Sequence, residues 1–409
     1  MRPSQEQIIA GLDVGSHKVV AIVGSIRGDG SVEVIGVGSS PSTGLRKGVV
    51  VSVNETVEAI KRAIHEAELM AGCTVTTVHC SVSGAHLRCF NNKGVVNVQG
   101  DRVTEADVER VLDNAKAVAV PPDRTILHTI PQEFLVDDND GIMQPVGIHG
   151  TRVTANVHIV TAIAASQQNI IQCCQHAGLT VVRPTAELLA SATAVLEDDD
   201  KDLGVMLADI GSGTTDIAIY HRGSLVYSAV LPIGGDLVSS DVAVGLRVSR
   251  QEAERIKLKH GCALANLAGD DESFECKLVG GRDTVIYDRR LLAEVIEPRM
   301  EEIFHFLRRE MEASNFMDLL GSGLVLTGGG ALLEGVEQLG TRVLGGMPVR
   351  VGVPRQVAGL YDMVKSPAYA CALGLVLHAA EHDNDHHRKS TAQQGSWWTR
   401  LVGGLREFF

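Results

Sequence analysis

Residues 7 to 26 read QIIAGLDVGSHKVVAIVGSI. Two β-rich runs flank the turn Asp13-Val14-Gly15-Ser16-His17, and the residues after it (Val19, Val20, Ile22, Val23) favour strand over helix. The glycine turn therefore sits inside a β-hairpin. That separates it from the P-loop and from the dinucleotide fingerprint, both of which run from a strand through a glycine loop into a helix. The pattern recurs far downstream as Ala208-Asp209-Ile210-Gly211-Ser212-Gly213-Thr214-Thr215-Asp216, followed by the strand-like Ile217-Ala218-Ile219-Tyr220. A repeat at about half the chain length predicts two similar halves rather than a solenoid.

Around these hairpins the chain reads as α/β. Residues 54 to 71 carry Val57, Ile60, Ala63, Ile64, Ala67 and Met70 at helical spacing, with Gly72 placed to end the helix. Residues 82 to 163 alternate short strands (LRCF, GVVNV, TILHTI, ANVHIV) with one helix over 104 to 118, whose Thr104 and Asp107 suit a capping region. This predicts a small α+β insertion in the first half. A helix-rich second insertion follows Gly234-Gly235, over 231 to 300. Then Leu324 to Thr327 leads through Gly328-Gly329-Gly330 into a helix from about 331. A last core helix, Ala368 to His378, precedes the polar run EHDNDHHRKSTAQQG, 381 to 395, which reads as a flexible linker. His378, His382 and His386 stand at i, i+4, i+8, but their linker-like neighbours argue against a metal site.

The 409 residues are enough for two to three domains, and 44% apolar with 21% charged residues is an ordinary globular composition. A net charge of −13 disfavours nucleic acid or anionic lipid as a partner of the whole surface. The eight cysteines form no C-x-x-C pair, which predicts a reducing cytoplasm. The first residues lack an apolar signal core, and no run of about 18 apolar residues occurs.

Two D-[VI]-G-S hairpins suit a nucleoside triphosphate held between two domains. Backbone N–H groups of Gly15, Ser16 and His17, and of Gly211, Ser212, Gly213, Thr214 and Thr215, can converge on phosphates. Asp13 and Asp209 are then candidates to hold Mg²⁺ through its water shell, because that ion dehydrates reluctantly. Lys18 or His17 can neutralise a phosphate. One such turn alone is also an ordinary β-turn; the pair, with Gly328, Gly329 and Gly330 offering bare backbone to an adenosine, points to nucleotide binding. Gly234 and Gly235 belong to the same candidate site. Glu254 and Lys257, at i, i+3, are candidates for ribose and adenine contact, or simply an exposed ion pair.

In order and spacing these motifs resemble the phosphate-1, phosphate-2 and adenosine motifs of the actin, sugar-kinase and chaperone-ATPase superfamily. The resemblance tightens to the bacterial cell-division FtsA family through GLRKGVVVSVNETVEAIKRAIHEAELMAG (44 to 72), SVSGAHLRCFNNKGVV (81 to 96), ILHTIPQEFLVDDNDGIMQPVGIHGTRV (126 to 153) and LAEVIEPRMEEI (292 to 303). It covers essentially the whole chain. It implies a two-lobed actin-like ATPase fold: a first lobe of 1–81, 164–200 and 366–380, an FtsA-type insertion over 82–163, a second lobe of 201–230 and 301–365, and a second-lobe insertion over 231–300. It also implies an ATP- and Mg²⁺-binding protein that polymerises with itself, binds the C-terminal tail of the tubulin-like division protein FtsZ, sits on the cytoplasmic face of the inner membrane at the division site, and recruits later division proteins. Nucleic acid is not among the implied partners. Arg282, Arg289, Arg290 and Arg299 give the second insertion cationic reach toward an acidic peptide, or form a solvated helix face. Hydrolytic relatives carry a water-orienting Glu or Gln just before the helix that here is expected near Pro184-Thr185-Ala186. Arg183 falls at that place, with Glu187 the only nearby acid, so the expectation is a slow ATPase at most, with no catalytic residue assigned. A small-molecule kinase of the superfamily or a pilus-assembly relative are the alternatives.

The ending SWWTRLVGGLREFF, 396 to 409, puts Trp397, Trp398, Leu401, Leu405, Phe408 and Phe409 on one helical face, with Thr399, Arg400, Arg406 and Glu407 mostly on the other. This predicts an amphipathic helix lying in the bilayer interface. Both tryptophans and two of the eight phenylalanines of this aromatic-poor chain are in it.

Overall fold

The computed structural model describes residues 7–269, 271–279 and 284–391. Strand β1 (Gln7–Val14) pairs antiparallel with β2 (Lys18–Ile26) around the Gly15 turn, and β3 (Val32–Pro41) continues the meander. A short hairpin, β4 (Leu45–Arg46) and β5 (Val49–Val50), leads into α1 (Val53–Ala71). Its buried face is the predicted one, and Gly72 ends it at φ 67° with its N–H on the Glu68 carbonyl. The helix lies so close on β3 that a Cβ at Gly38 would come within 1.9 Å of the Ala63 carbonyl oxygen. Strand β6 (Thr77–Val82) then runs parallel to β1.

There the chain leaves the lobe. β7 (Arg88–Asn97), α2 (Glu105–Lys116), β8 (Arg124–Val136), β9 (Asn139–Ile142) and β10 (Arg152–Ile163) form a four-stranded antiparallel sheet, order β7-β10-β8-β9, with α2 packed on it. Thr104 and Asp107 cap α2 reciprocally, satisfying two N–H groups that the first helical turn leaves open. The insert has its own core of Val108, Val111, Leu112, Val157 and Ile159. The chain returns through α3 (Ala164–His176) and β11 (Thr180–Ala186), which extends the first sheet beside β6.

After α4 (Glu187–Val195) and α5 (Asp198–Leu203), the second half repeats the plan of the first. β12 (Val205–Ile210), β13 (Thr215–His221) and β14 (Ser224–Leu231) form an antiparallel meander. Next come α6 (Gly235–Leu246), α7 (Arg250–His260), the hairpin β15 (Ser273–Lys277) and β16 (Thr284–Asp288), and α8 (Arg289–Ser314). β17 (Leu324–Thr327), α9 (Val336–Val343) and β18 (Val349–Val351) complete the sheet, with β17 parallel to β12. β19 (Ala358–Gly359), α10 (Tyr361–Val364) and α11 (Ala370–Thr391) return the chain to the first lobe. The sheets read β11-β6-β1-β2-β3-β19 and β14-β13-β12-β17-β18. A meander beside a parallel pair occurs in each, the twofold repeat that the two hairpins announced.

Three elements depart from expectation. The helix expected from 331 begins at Val336, because Gly329–Leu332 form a 3-10 turn and Gly335 turns the chain at φ 79°. α8 runs unbroken through residue 300, so one helix serves both the second insertion and the lobe beneath it. α11 passes His378 and continues to Thr391, into the stretch read as a linker; no glycine or proline interrupts residues 375 to 391. The calls on 392 to 395 and on the ending 396 to 409 lie outside the described residues. Among the described residues no helix is long and apolar enough to cross a membrane.

α4 and α11 join the lobes. Their buried residues Leu188, Ala192, Leu373 and Val376 pack in one core with Val20 and Ile22 of the first sheet and with Leu207 and Ala218 of the second. The two helices touch so closely that a Cβ at Gly374 would be 1.8 Å from the Ala190 carbonyl oxygen.

Candidate functional site

Both glycine hairpins close in the same way. Gly15 N–H donates to the Lys18 carbonyl at 3.1 Å, and Gly211 N–H to the Thr214 carbonyl at 2.9 Å. Between the lobes they meet in a cavity of about 320 Å³. Asp13, Gly15, Ser16, His17 and Lys18 line it from the first lobe; Asp209, Gly211, Ser212, Gly213 and Thr214 line it from the second. Gly328, Gly329 and Gly330 form a wall at the end of β17, and Gly235, Glu254 and Lys257 line the far side with Leu258, Met300, Leu332 and Leu333. The Glu254 and Lys257 heads pair at 2.8 Å while Lys257 Nζ also donates to the Gly235 carbonyl, so this pair is part of the cavity wall rather than a solvated face.

Thr215 and Gly234 do not line the cavity. Thr215 is fully buried and its hydroxyl donates to the Ile233 carbonyl at 2.9 Å. A Cβ at Gly234 would stand 2.5 Å from the Gly211 carbonyl oxygen, so this glycine lets the start of α6 nest under the second hairpin. There Gly235 and Asp236 N–H donate to the Gly211 and Ser212 carbonyls. These two residues hold the hairpin's shape from behind.

The carboxylates are held from the lobes' interior. Ser81 Oγ donates to Asp13 Oδ1 at 2.8 Å, Ser191 Oγ to Asp209 Oδ2 at 2.5 Å and Ser83 Oγ to Asp216 Oδ2 at 2.8 Å. Burial raises the Asp13 pKa and pushes Asp209 up to about 7 and Asp216 up to about 8, against the lowering effect of those serines. Lys18, itself lowered by burial, lies with Nζ 3.9 Å above the Tyr369 ring.

One sequence expectation is corrected here. Arg183 does not line the cavity; Glu187 does. Strand β11 continues through Pro184 and Thr185 to Ala186 instead of giving way to a helix at 184, and α4 starts at Glu187. Proline is tolerated because β11 is the sheet's outer strand, where an N–H is dispensable. Glu187 is raised well above the carboxylate range by burial first, then by the charges of Asp216 and Asp13. Cys371, in α11, also lines the cavity unannounced by any motif, and its Sγ lies with Asp13 and Glu187 oxygens in a group spanning at most 4.8 Å.

Four buried or half-buried carboxyl groups near one lysine make a site short of positive charge. Asp216 Oδ1 is buried with no hydrogen-bond partner among the described residues. A hard divalent cation fits this donor set. In its absence the acids bind protons instead. Because folding raises the Asp216 pKa, the folded chain keeps a proton that the unfolded chain has lost, and stability falls as pH rises toward about 8. The expected result, in chelator and without nucleotide, is a melting temperature lower at pH 8 than at pH 7, by at most about 1 kcal/mol of stability from this group. Asp216→Asn flattens that interval; an unchanged slope would remove Asp216 as its cause.

The four candidate arginines differ in setting. Arg289 donates to the His260 carbonyl at 2.9 Å and to Glu272 at 2.6 Å, and also pairs with Glu334. Arg299 pairs with Asp241 at 2.6 Å and with Glu302. Arg290 meets Glu294 at 3.5 Å with its side chain 54% exposed. Arg282 lies outside the described residues.

Twin sheets of this topology, closed on a cavity by two glycine hairpins, define an actin-like protein. Solved structures of that fold superpose: the PilM-PilN type IV pilus biogenesis complex at TM-score 0.65 with 17% identity, covering 91% of this chain and 98% of that one, and MreB5 of Spiroplasma citri bound to ADP at 0.53 with 13% identity, covering 95% and 99%. Sequence relationships narrow the class. The family described as cell division protein FtsA matches residues 206–374, and the SHS2 domain inserted in FtsA matches 84–161. Cell division protein FtsA of Pseudomonas aeruginosa is 45% identical over 379 residues, 93% of this chain and 91% of that protein; that of Escherichia coli K12 is 40% identical over 420 aligned positions spanning both chains in full. The chain belongs to the FtsA family of cell-division proteins. Neither the pilus-assembly alternative, whose likeness is one of fold alone, nor a small-molecule kinase is favoured.

Proposed function

We propose that this chain binds ATP between its lobes, assembles with copies of itself, and ties the acidic tail of FtsZ to the cytoplasmic face of the inner membrane, where it recruits later division proteins. The observation that carries the nucleotide half is the convergence of two glycine hairpins and the Gly328–Gly330 wall on one cavity. Mg²⁺ would be held by Asp13 and Asp209, largely through water, and would supply charge neutralisation for the triphosphate. Glu187 is the acid that lines the cavity near the expected water-orienting place, its pKa raised first by burial and then by the charges of Asp216 and Asp13. With Arg183 standing off the cavity, slow hydrolysis at most is the expected result of a phosphate-release assay. Saturable, Mg²⁺-dependent binding of a fluorescent ATP analogue, competed by unlabelled ATP, tests this half; a flat titration overturns it.

For the partner half, Arg290 is the best placed of the described arginines, since its side chain is 54% exposed against 17% for Arg289 and 28% for Arg299. Arg290→Glu is expected to weaken binding of a labelled acidic FtsZ-tail peptide about tenfold by fluorescence anisotropy, through charge reversal at an exposed contact. An unchanged affinity would move the contact elsewhere.

A further inference from the structure

The inserted subdomain grows from the first lobe, between β6 and α3, yet its side chains reach the second. β14 is the outer strand of the second sheet, and its free edge is capped by side-chain amides of the insert rather than by another strand. Gln132 Nε2 donates to the Leu225 carbonyl at 2.9 Å, and Asn91 Nδ2 to the Val226 carbonyl at 3.2 Å. Ser224 Oγ donates back to the Gln132 carbonyl at 2.7 Å. His158, buried on β10, lies 2.6 Å from Asn91 Oδ1 and 2.7 Å from Ser228 Oγ. Asn91 Oδ1 can only accept, so His158 Nδ1 carries the proton, and the neutral ring accepts the Ser228 hydroxyl at Nε2. Apolar groups lie beneath these bonds: Val230 packs on Val82, Leu87 and Ala162, and Ile130 and Val160 of the insert share a buried core with Leu225 of β14.

At its root the insert reaches the site itself. Ser83, which follows the last residue of β6, holds Asp216 of the second hairpin across the lobe boundary. From β8, His128 Nε2 accepts the N–H of Ala186, the residue before Glu187.

The α4–α11 core thus extends through Ile130, Val160 and Leu225 to the insert, and a fringe of hydrogen bonds along β14 ties insert and second lobe at its margin. Hinge motion of two-lobed proteins turns on a few packed elements, and a bridge placed away from them must shear when the lobes rotate. Hydrogen bonds at the margin of such a contact can open and re-form while the core beneath them stays packed. We infer that the inserted subdomain is a strap across the two lobes that sets how fast nucleotide leaves the cleft. It rests on the reading that nucleotide binds there.

The test uses the full chain with Mg²⁺ and a fluorescent ATP analogue, displaced by excess unlabelled ATP. Gln132→Ala with Ser228→Ala removes two of the bridging bonds, Gln132 to the Leu225 carbonyl and Ser228 to His158, without adding bulk. The expected result is release about tenfold faster, with Kd rising less than the release rate because entry also quickens. Asn91→Ala, at an exposed residue, is expected to act in the same direction more weakly, and serves if the double variant does not fold. Release at the wild-type rate in a folded variant overturns the strap while leaving the nucleotide site intact. Absence of binding by the wild-type chain overturns both.

Discussion

Gly329→Asp is expected to weaken ATP binding on the order of hundredfold, about 2.7 kcal/mol, while the melting temperature stays near that of the wild type. The two halves of this expectation have separate causes. A Cβ at Gly329 meets nothing within 4 Å, and its φ is not in the left-handed region, so a side chain has room in the free protein. That room is the cavity itself. An aspartate there fills space meant for a ligand and adds a negative charge to a site already crowded with Asp13, Glu187, Asp209 and Asp216. A polyanionic triphosphate meets both the lost volume and the repulsion, in surroundings where charge is poorly screened.

The neighbouring glycine is the control. Gly328 is buried at φ 81°, and a Cβ there would stand 2.2 Å from Asp209 Oδ1 and 2.7 Å from the Ile210 carbonyl oxygen. Gly328→Asp should lower the melting temperature outright, because its backbone conformation and its neighbours both refuse a side chain. Thermal melting and analogue titration of the two variants separate wall from scaffold. Wild-type affinity in Gly329→Asp would take this wall out of the nucleotide site.

The same contrast shows what a sequence can disclose. The hairpins were legible because strand propensity after the glycine turn is a local property, and repetition of the motif reported the twofold plan of the lobes. The insert was legible because turn signals and a capping pair punctuate it. Sequence alone puts Arg183 at the cavity and starts the helix at 184 instead of 187, and the reason is non-local. Whether Pro184 to Ala186 continue a strand or open a helix depends on β6 lying alongside, and the pairing of β11 with β6 slips by one residue between Val181 and Arg183. A slip of this kind reverses which face each later side chain takes, and no count along the chain predicts it. Cys371 was silent because a cysteine in a core helix has no signature until the helix is docked. The serines that hold the carboxylates, Ser81, Ser83 and Ser191, are likewise ordinary residues made specific by tertiary placement.

Removal of residues 396 to 409 is expected to abolish co-sedimentation with vesicles of phosphatidylethanolamine and phosphatidylglycerol, with ATP affinity unchanged. The charge arithmetic of the whole chain points the other way, since −13 repels an anionic surface. Within the ending, Arg400 and Arg406 against Glu407 leave a small positive balance, and each basic residue near such a surface contributes only about 1 kcal/mol. The apolar groups must carry the attachment. Trp397, Trp398, Leu401, Leu405, Phe408 and Phe409, at about 1.5 to 3 kcal/mol each if fully buried, set an upper bound of roughly 9 to 18 kcal/mol. Partial immersion and the cost of ordering the segment leave about a third to a half of that. A single copy is then expected to act as a reversible anchor, with Gly403-Gly404 adding to the cost of ordering it. Copies lined along a polymer bind together through effective concentration, so attachment should steepen with assembly. Full sedimentation of the truncated chain would sink the anchor, and sedimentation of the intact chain independent of its own concentration would sink the coupling of anchoring to assembly.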